Sequence, residues 1–169
     1  MPSASFIMGE LIDSFDRRFA NLTRRSRALI DLIPQEKLYW KPRELVKSMT
    51  MFSCGEYILR SAAMVEKTFG GITTRLWDDP FEWTLPEELS TREALLIYLV
   101  ETEETRVKGF SFFKSDEDLL RQIPAPERLR SIFDILLEAI AQAEHYQGRA
   151  FAVFQMFSEE KLPKLSNKL

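Results

Sequence analysis

The amino-acid sequence predicts an all-α fold, an antiparallel four-helix bundle with long inter-helix loops. Three observations predict this class. Four segments repeat apolar residues at the three-, four- and seven-residue separations of a buried helix face. No convincing alternating strand pattern separates them. The length of 169 residues and a hydrophobic content of 45% suit a single core. We assign residues 1–160 to the bundle and expect the tail 161–169 to fray.

The first two helices are predicted on either side of a breaker-rich loop. Helix one is predicted from Ser5 to Ile33, where Pro34 ends it. Its buried stripe is Leu11, Phe15, Phe19, Leu22, Leu29 and Ile33. Helix two is predicted roughly over 48–69, because Gly70-Gly71 readily adopt the left-handed conformation that ends helices. The stripe of helix two is Met51, Gly55, Ile58, Ala62, Val65 and Phe69.

A long aromatic loop follows helix two and leads to the third helix. Its large rings are Trp77, Phe81 and Trp83. They either line an apolar pocket or seal the end of the bundle. Ser90-Thr91-Arg92-Glu93 forms a capping box, which predicts the start of helix three. The stripe of helix three is mixed and weakens at Gly109, and it consists of Ala94, Tyr98, Glu101 or Thr102, Thr105 and Phe112.

The last helix is predicted to be long. A second capping box, Ser115 to Asp118, predicts a short helical turn that ends before Pro124. From Glu127 to about Glu160, apolar residues then recur at helical spacing. These residues are Leu129, Phe133, Leu136, Ile140, Ala143, Phe151 and Phe154.

Charge and cysteine content exclude several classes of protein. The 23 basic and 26 acidic side chains give a net charge of -3, so nucleic acid and anionic lipid are not expected partners. The N-terminal segment has no basic start followed by an apolar run, which argues against a signal peptide, and no apolar stretch is long enough for a membrane span. The single cysteine, Cys54, has no partner for an internal disulfide, so we expect a cytoplasmic protein.

Few side chains suggest chemistry by themselves. His145 is the only histidine, which excludes a two- or three-histidine metal site within one chain. It follows Asp134 and Glu138 on the more polar face of the last helix, so an exposed histidine is expected. Cys54 is predicted to be a packed, inert thiol about two turns into helix two. Helix carboxylates such as Glu56 are expected to face water rather than a hard cation.

Two segments carry a family resemblance. Ile33-Pro34-Gln35-Glu36-Lys37-Leu38-Tyr39-Trp40-Lys41-Pro42, followed by Ser48, resembles the loop into helix two of the DinB/YfiT-like superfamily of bacterial four-helix bundles. Ala143-Glu144-His145-Tyr146-Gln147-Gly148-Arg149 resembles that family's His-His-Arg-Gly-Gln segment in the last long helix. The superfamily includes thiol-dependent transferases and the mycothiol-dependent maleylpyruvate isomerase.

The resemblance implies three positions for metal ligands. Metal-binding members use one histidine in helix two and two histidines four residues apart in the last helix. Counted from Ser48, these positions fall on Gly55 or its neighbour Glu56, on Gln142 and on Tyr146. None is a histidine, and His145 matches a family histidine beside the ligand position. We therefore expect no metal cofactor, and a divalent Ni, Zn or Mn ion is the alternative.

The resemblance implies a polar patch inside the bundle, formed by Gly55, Glu56, Gln142, His145 and Tyr146. We interpret the chain as a small-molecule-binding or stress-related DinB-like homodimer rather than a working metalloenzyme. Hydrogen bonding within the patch, without any ligand, would equally account for these residues. One alternative is a metal-dependent thiol S-transferase or isomerase that uses Glu56, Tyr146 and His145 as a substituted site. Another is a purely structural or partner-binding bundle.

Overall fold

The computed structural model describes residues 9–42, 51–80 and 89–165. Within these ranges the chain forms four long α-helices, two 3-10 turns and one small antiparallel hairpin, so the predicted four-helix bundle is confirmed. No helix in the described ranges has the length and apolar character needed to cross a membrane. The elements are α1 (Glu10–Leu32), α2 (Cys54–Thr74), α3 (Arg92–Phe110), β1 (Gln122–Pro124), β2 (Leu129–Ser131) and α4 (Ile132–Gln155), with 3-10 turns at Gln35–Lys37 and Asp116–Leu120.

Two hydrophobic clusters stacked along the bundle define the direction of each helix. The first cluster includes Phe15, Phe69, Phe110 and Leu136, and the second includes Leu29, Cys54, Leu95 and Val153. Helices α1 and α4 run from the first cluster to the second, whereas α2 and α3 run from the second to the first. Helices α2 and α3 are therefore parallel to each other and antiparallel to α1 and α4. This arrangement requires the long connection between them, residues 75–91.

Helix α2 begins later than predicted. Ser53 is its N-cap, because the Ser53 hydroxyl accepts from the Glu56 backbone N–H at 3.2 Å and the Glu56 carboxylate accepts from the Ser53 backbone N–H at 2.8 Å. Residues 48–50 lie outside the described residues, and 51–53 are not helical. The predicted start at 48 is therefore wrong.

Helix α2 also ends later than predicted. It continues through Gly70 and Gly71 to Thr74, and Arg75 adopts the left-handed cap conformation with φ 63°. Gly71 serves packing instead of termination, because a Cβ atom at this position would overlap the ring of Trp77. The interpretation of the glycine pair as a helix end is wrong for this reason.

Helix α3 uses a different cap and a rotated buried face. Thr91 is the N-cap and its hydroxyl accepts from Ala94 N–H at 3.1 Å, so the predicted Ser90 cap is wrong. The buried residues are Leu95, Tyr98, Leu99, Thr102, Arg106, Gly109 and Phe110, whereas the predicted stripe member Phe112 is exposed. Gly109 does not weaken the helix but lets it approach Phe69, whose ring would overlap any Cβ atom there.

The hairpin replaces the predicted first turn of the last helix. β1 pairs antiparallel with β2, with Ile123 opposite Arg130, and α4 starts only at Ile132. Ser131 caps α4 by accepting from the Asp134 backbone N–H at 3.1 Å. The predicted start at Glu127 is wrong because residues 125–128 form the hairpin turn, which is closed by a 3.0 Å hydrogen bond from Ala125 N–H to the Arg128 carbonyl. The predicted Ser115 to Asp118 box is confirmed and begins the second 3-10 turn.

Helix α4 ends at Gln155, earlier than the predicted Glu160. The backbone N–H groups of Met156 and Phe157 donate to carbonyls three residues back, at 3.1 Å each, which tightens and closes the last turn. Predicted fraying concerned residues 161–169, of which the structure describes 161–165. There the side chains of Arg24 and Arg25 on α1 donate to the carbonyls of residues 164 and 165.

Buried polar groups fix how α1 meets α4. Gln147 is 1% exposed, and its amide donates to the Leu22 carbonyl at 2.7 Å and to the Ser26 hydroxyl at 2.8 Å. The buried guanidinium of Arg25 pairs with Glu144 at 2.5 Å. The Glu144 carboxylate is therefore directed towards α1.

Candidate functional site

The predicted patch residue Gly55 lies in the first turn of α2, against a loop. Its backbone N–H donates to the Leu38 carbonyl at 2.8 Å. A Cβ atom at Gly55 would lie 2.7 Å from Cε1 of Tyr39, whose ring therefore occupies the space of a side chain. The Tyr39 hydroxyl is itself anchored to the Leu89 carbonyl. Position 55 therefore cannot accept a larger side chain without displacing this ring.

Glu56 is part of the helix cap. One carboxylate oxygen accepts from the backbone N–H and the hydroxyl of Ser53, each at 2.8 Å, and the other pairs with Lys41 at 3.0 Å. Burial alone would raise the pKa of Glu56, but the Ser53 hydrogen bonds and the Lys41 ammonium together hold it below its ordinary value. Glu56 is therefore an ionised carboxylate whose two oxygens are already used by residues before the helix.

The other three patch residues share one face of α4. Gln142 is exposed and donates to Glu138 at 3.0 Å, whereas His145 is exposed and accepts from Arg149 Nε at 3.0 Å. Tyr146 is half-buried, with its ring 5.8 Å from that of His145. With Glu138 and Ala141 these residues line a shallow depression of about 240 Å³. The expected exposure of His145 is confirmed, but Gln142 lies at the surface and not inside the bundle.

Gln142 lies at a different level of the bundle from the α2 members of the patch. The Cys54 thiol donates to the Ala150 carbonyl at 3.4 Å, and the Ser61 hydroxyl donates to the Ala143 carbonyl at 2.9 Å. These two contacts set the antiparallel register of α2 and α4. Residues 55 and 56 are therefore level with the region just before Ala150, roughly two helical turns from Gln142.

The cap observed for α2 changes the count that gave Gly55. Gly55 lies seven residues after Ser48, the serine from which the position was counted. The serine that caps α2 is Ser53, and the same interval reaches Arg60. The Arg60 guanidinium lies 4.0 Å over the ring of Phe52.

The residues at these positions do not fit a histidine-type metal site. A guanidinium has only donor groups and keeps its positive charge, and Gln142 offers at best a neutral amide oxygen. At position 55, the alternative counted from Ser48, the Tyr39 ring fills the space that a side chain would need. In the part of the chain that the structure describes, no three His, Cys, Asp or Glu side chains come together as a metal cluster.

A larger cavity, of about 450 Å³, lies between α2 and α4 next to Gln142. Its walls are formed by Met64, Lys67 and Thr68 of α2, by Trp77, by residues 125–128 and 130 of the hairpin, and by Ile135, Glu138, Ala139 and Gln142 of α4. Trp77 is anchored, because its indole N–H donates to the Pro124 carbonyl at 3.2 Å and its ring packs on Gly71. Phe81 and Trp83 lie outside the described residues.

Two basic residues that line this cavity, Lys67 and Arg130, lie close to carboxylates. Lys67 lies 4.0 Å from Asp79, and Arg130 pairs with Asp134 at 2.7 Å and with Glu138. Hydrogen bonding to Asp134, and then to Glu138, raises the pKa of Arg130 above its ordinary value. The lining mixes apolar side chains with charged and polar ones, which suits a small molecule that carries both apolar and polar groups.

Sequence reasoning missed the contribution of the hairpin to this cavity. The sequence pattern predicted the loop and the first turn of the last helix for residues 125–128 and 130, and not a hairpin that lines a cavity. The two prolines, Pro124 and Pro126, were the available signal, because closely spaced prolines favour turns over helix interiors.

Cys54 is the first residue of α2 instead of lying two turns into the helix. It is fully buried, and burial raises the pKa of its thiol to about 12. The prediction of a packed thiol is confirmed, and its protonated state at neutral pH makes it a poor nucleophile.

Comparisons with known proteins support the resemblance at the level of fold. The chain is similar to the solved structure of a DinB-like protein, YjoA, from Bacillus subtilis, with a TM-score of 0.70 and 18% sequence identity over 92% of this chain and 99% of that one. It is also similar to a DinB-like protein from Bacillus cereus ATCC 10987, with a TM-score of 0.64 and 13% identity over 90% of this chain and 95% of that one. No family model and no curated protein matches the sequence. The chain thus has a DinB-like fold.

Proposed function

We propose that this DinB-like bundle binds a small molecule in the cavity between α2 and α4 and works without the family's histidine metal site. The observation that carries the proposal is the cavity itself, about 450 Å³ in volume, which is lined by the anchored Trp77 together with Met64, Ile135 and Ala139. Volumes of roughly 300–1,000 Å³ are usual for small-molecule sites in proteins. A stress-related role, which the resemblance implies, is compatible with such a binding protein.

The cavity favours a ligand with an apolar body and one polar group. Met64, Trp77, Ile135 and Ala139 would contact the apolar body, whereas Lys67, Arg128 and Gln142 would donate hydrogen bonds to the polar group. Aromatic and branched aliphatic carboxylates or alcohols fit this description. Gln142 is the one residue of the predicted patch that lines the cavity.

Fragment binding tests the proposal. The chain has three tryptophans, so the Trp77 indole N–H signal can be assigned by comparing the NMR spectrum of the protein with that of Trp77→Phe. We expect some fragments of the named classes to shift this signal saturably. Ala139→Leu, which adds volume inside the cavity, should abolish the shift, whereas the matched change Ala141→Leu on the exposed face should not. Shifts that are absent, or that survive Ala139→Leu, would refute the site.

The thiol-transferase alternative finds no support in these contacts. It requires Glu56, Tyr146 and His145 to share one centre. Glu56 is used by Ser53 and Lys41, and His145 lies on the exposed face of α4. We therefore do not propose it.

We further propose that the protein is a cytoplasmic homodimer joined through α3. Ile97, Val100 and Val107 are 60%, 41% and 56% exposed, and their spacing places them along one face of that helix. An isologous contact between two copies of this stripe would remove it from water. The buried free thiol of Cys54 agrees with a reducing compartment.

A further inference from the structure

Three polar side chains meet where the last turns of α4 pass the first turn of α2. Arg149 Nε donates to His145 Nε2 at 3.0 Å, and Arg149 Nη1 donates to the Tyr57 hydroxyl at 3.4 Å. The Tyr57 hydroxyl also accepts from the Phe52 backbone N–H at 3.4 Å. Tyr57 is 1% exposed, whereas Arg149 is half-buried and His145 is exposed. The guanidinium is thus held between a buried wall and solvent.

The surroundings of this cluster leave its positive charge unbalanced. Among the described residues, no carboxylate forms an ion pair with Arg149. The nearest carboxylates along the two helices are engaged elsewhere, since Glu56 pairs with Lys41 and Glu144 pairs with Arg25 on α1.

We propose that Arg149, His145 and Tyr57 form an oxyanion-binding site that takes the carboxylate or phosphate group of a small ligand. Arginine presents five N–H donors in a fixed fork, and the two contacts above use only two of them. The remaining donors match the two oxygens of a carboxylate or phosphate. The hydrogen bonds to His145 and Tyr57 hold the fork in place before a ligand arrives, which lowers the entropic cost of binding.

This site is separate from the cavity of the proposed function. The cavity is lined by residues of α2 from Met64 onwards and of α4 up to Gln142, so the two sites share no residue. Binding at one can therefore succeed or fail without the other. A long ligand that spans both sites is not required.

The single histidine provides a direct probe. Because the chain contains one histidine, its imidazole carbon-bound protons give one set of NMR signals without assignment. The full-length protein is titrated with inorganic phosphate, and separately with acetate, at fixed pH and at an ionic strength held constant with chloride. We expect a saturable shift of the His145 signals with at least one of the two anions.

Variants distinguish a built site from general attraction to positive charge. Arg149→Gln should weaken the apparent affinity at least about tenfold, since a charge-assisted hydrogen bond pair is lost. Arg149→Lys keeps the charge but not the fork and should restore it only in part. Arg27→Gln, which removes a charge from an exposed position on α1, should leave the titration unchanged.

The two titrations either identify the chemical class of the ligand or show that the site does not exist. Saturation with phosphate alone indicates phosphorylated small molecules, and saturation with acetate alone indicates carboxylates. A shift that is linear in concentration for both anions, or that is unchanged in Arg149→Gln, would overturn the proposal. Ala139→Leu should leave the saturable shift intact, so a failure of the cavity proposal would be recognised independently.

Discussion

Gly55 illustrates how one missing Cβ atom limits the chemistry of a position. The Tyr39 ring lies where a side chain would begin, and its hydroxyl is held by the Leu89 carbonyl. A ligating side chain at this position would therefore require the loop of residues 38–40 to move. Glycine at position 55 is therefore part of the packing of this loop.

Two glycine variants test this explanation. Gly55→Ala should destabilise the protein by about 1–3 kcal/mol, because the added methyl group overpacks a filled site. Gly148→Ala, in the middle of α4 where nothing lies within 4 Å of an added Cβ, should stabilise it by about 0.5–1 kcal/mol. Urea unfolding gives both free energies. A Gly55→Ala protein as stable as Gly148→Ala would contradict the role of the Tyr39 ring.

At the residue scale, the sequence predicted some side-chain environments and missed others. The polar face of the last helix correctly predicted an exposed His145, because Glu138 and Asp134, two and three turns earlier, are charged. The inward position of Gln142 was inferred from the family, and it failed because this residue pairs with Glu138 at the surface. Helical periodicity does not reveal which partner a polar side chain selects.

At the element scale, the start of α2 depends on a capping box. Ser53 and Glu56 have the Ser-x-x-Glu spacing of that motif, so the signal was present in the sequence. The apolar stripe that begins at Met51 instead predicted a start near Ser48. The Leu38 carbonyl and Lys41, which contact Gly55 and Glu56, favour Ser53, and these tertiary contacts are not visible in a sequence.

The capping box predicts a pH dependence. The pKa of Glu56 in the folded state is lowered from 4.5, so its contribution to stability is complete above pH 4.5 and is lost as the pH falls through the lower, folded-state pKa. Glu56→Gln should cost about 1 kcal/mol at pH 7. The difference from the unchanged protein should shrink at pH 3 in urea unfolding experiments. A difference that stays constant between these pH values would refute the ionised cap.

The missed hairpin and the misread glycines share a cause. Helical periodicity predicts a helix over Leu129, and the Gly70-Gly71 pair predicts a helix end. In the fold, Leu129 belongs to β2 and Gly71 receives the Trp77 ring. In both places contacts within the fold override an intrinsic secondary-structure propensity, which is worth only about 1 kcal/mol per residue.

At the scale of the whole molecule, apolar stripes were enough to predict the bundle but not its topology. A stripe shows that a helix has a buried face and says nothing about which way the helix runs. The direction follows from the two hydrophobic clusters, which assign α2 and α3 to one direction and α1 and α4 to the other. The long segment 75–91 permitted this arrangement without requiring it.

The exposed stripe on α3 predicts the oligomeric state. In size-exclusion chromatography with light scattering, the protein should have the mass of two chains. The double variant Ile97→Glu, Val107→Glu should have the mass of one, because two carboxylates would be buried in the interface. Leu137→Glu, at an exposed apolar position on α4, is the control and should remain dimeric. A monomeric unchanged protein would exclude the proposed interface.

The absence of a histidine-type metal site is the claim on which the proposed function depends. A positive control can be built into the same bundle. The triple variant Arg60→His, Gln142→His, Tyr146→His places histidines at the positions counted from the observed cap and should gain metal. The corresponding triple variant with Gly55→His in place of Arg60→His should not, because Tyr39 fills that position.

Metal content is therefore the most direct measurement. The unchanged protein, purified without a metal-binding tag, is incubated with nickel, zinc and manganese, desalted and analysed by inductively coupled plasma mass spectrometry. We predict essentially no bound metal in the unchanged chain. About one metal ion per chain would contradict a metal-free binding protein and would return the substituted positions to consideration as a catalytic centre.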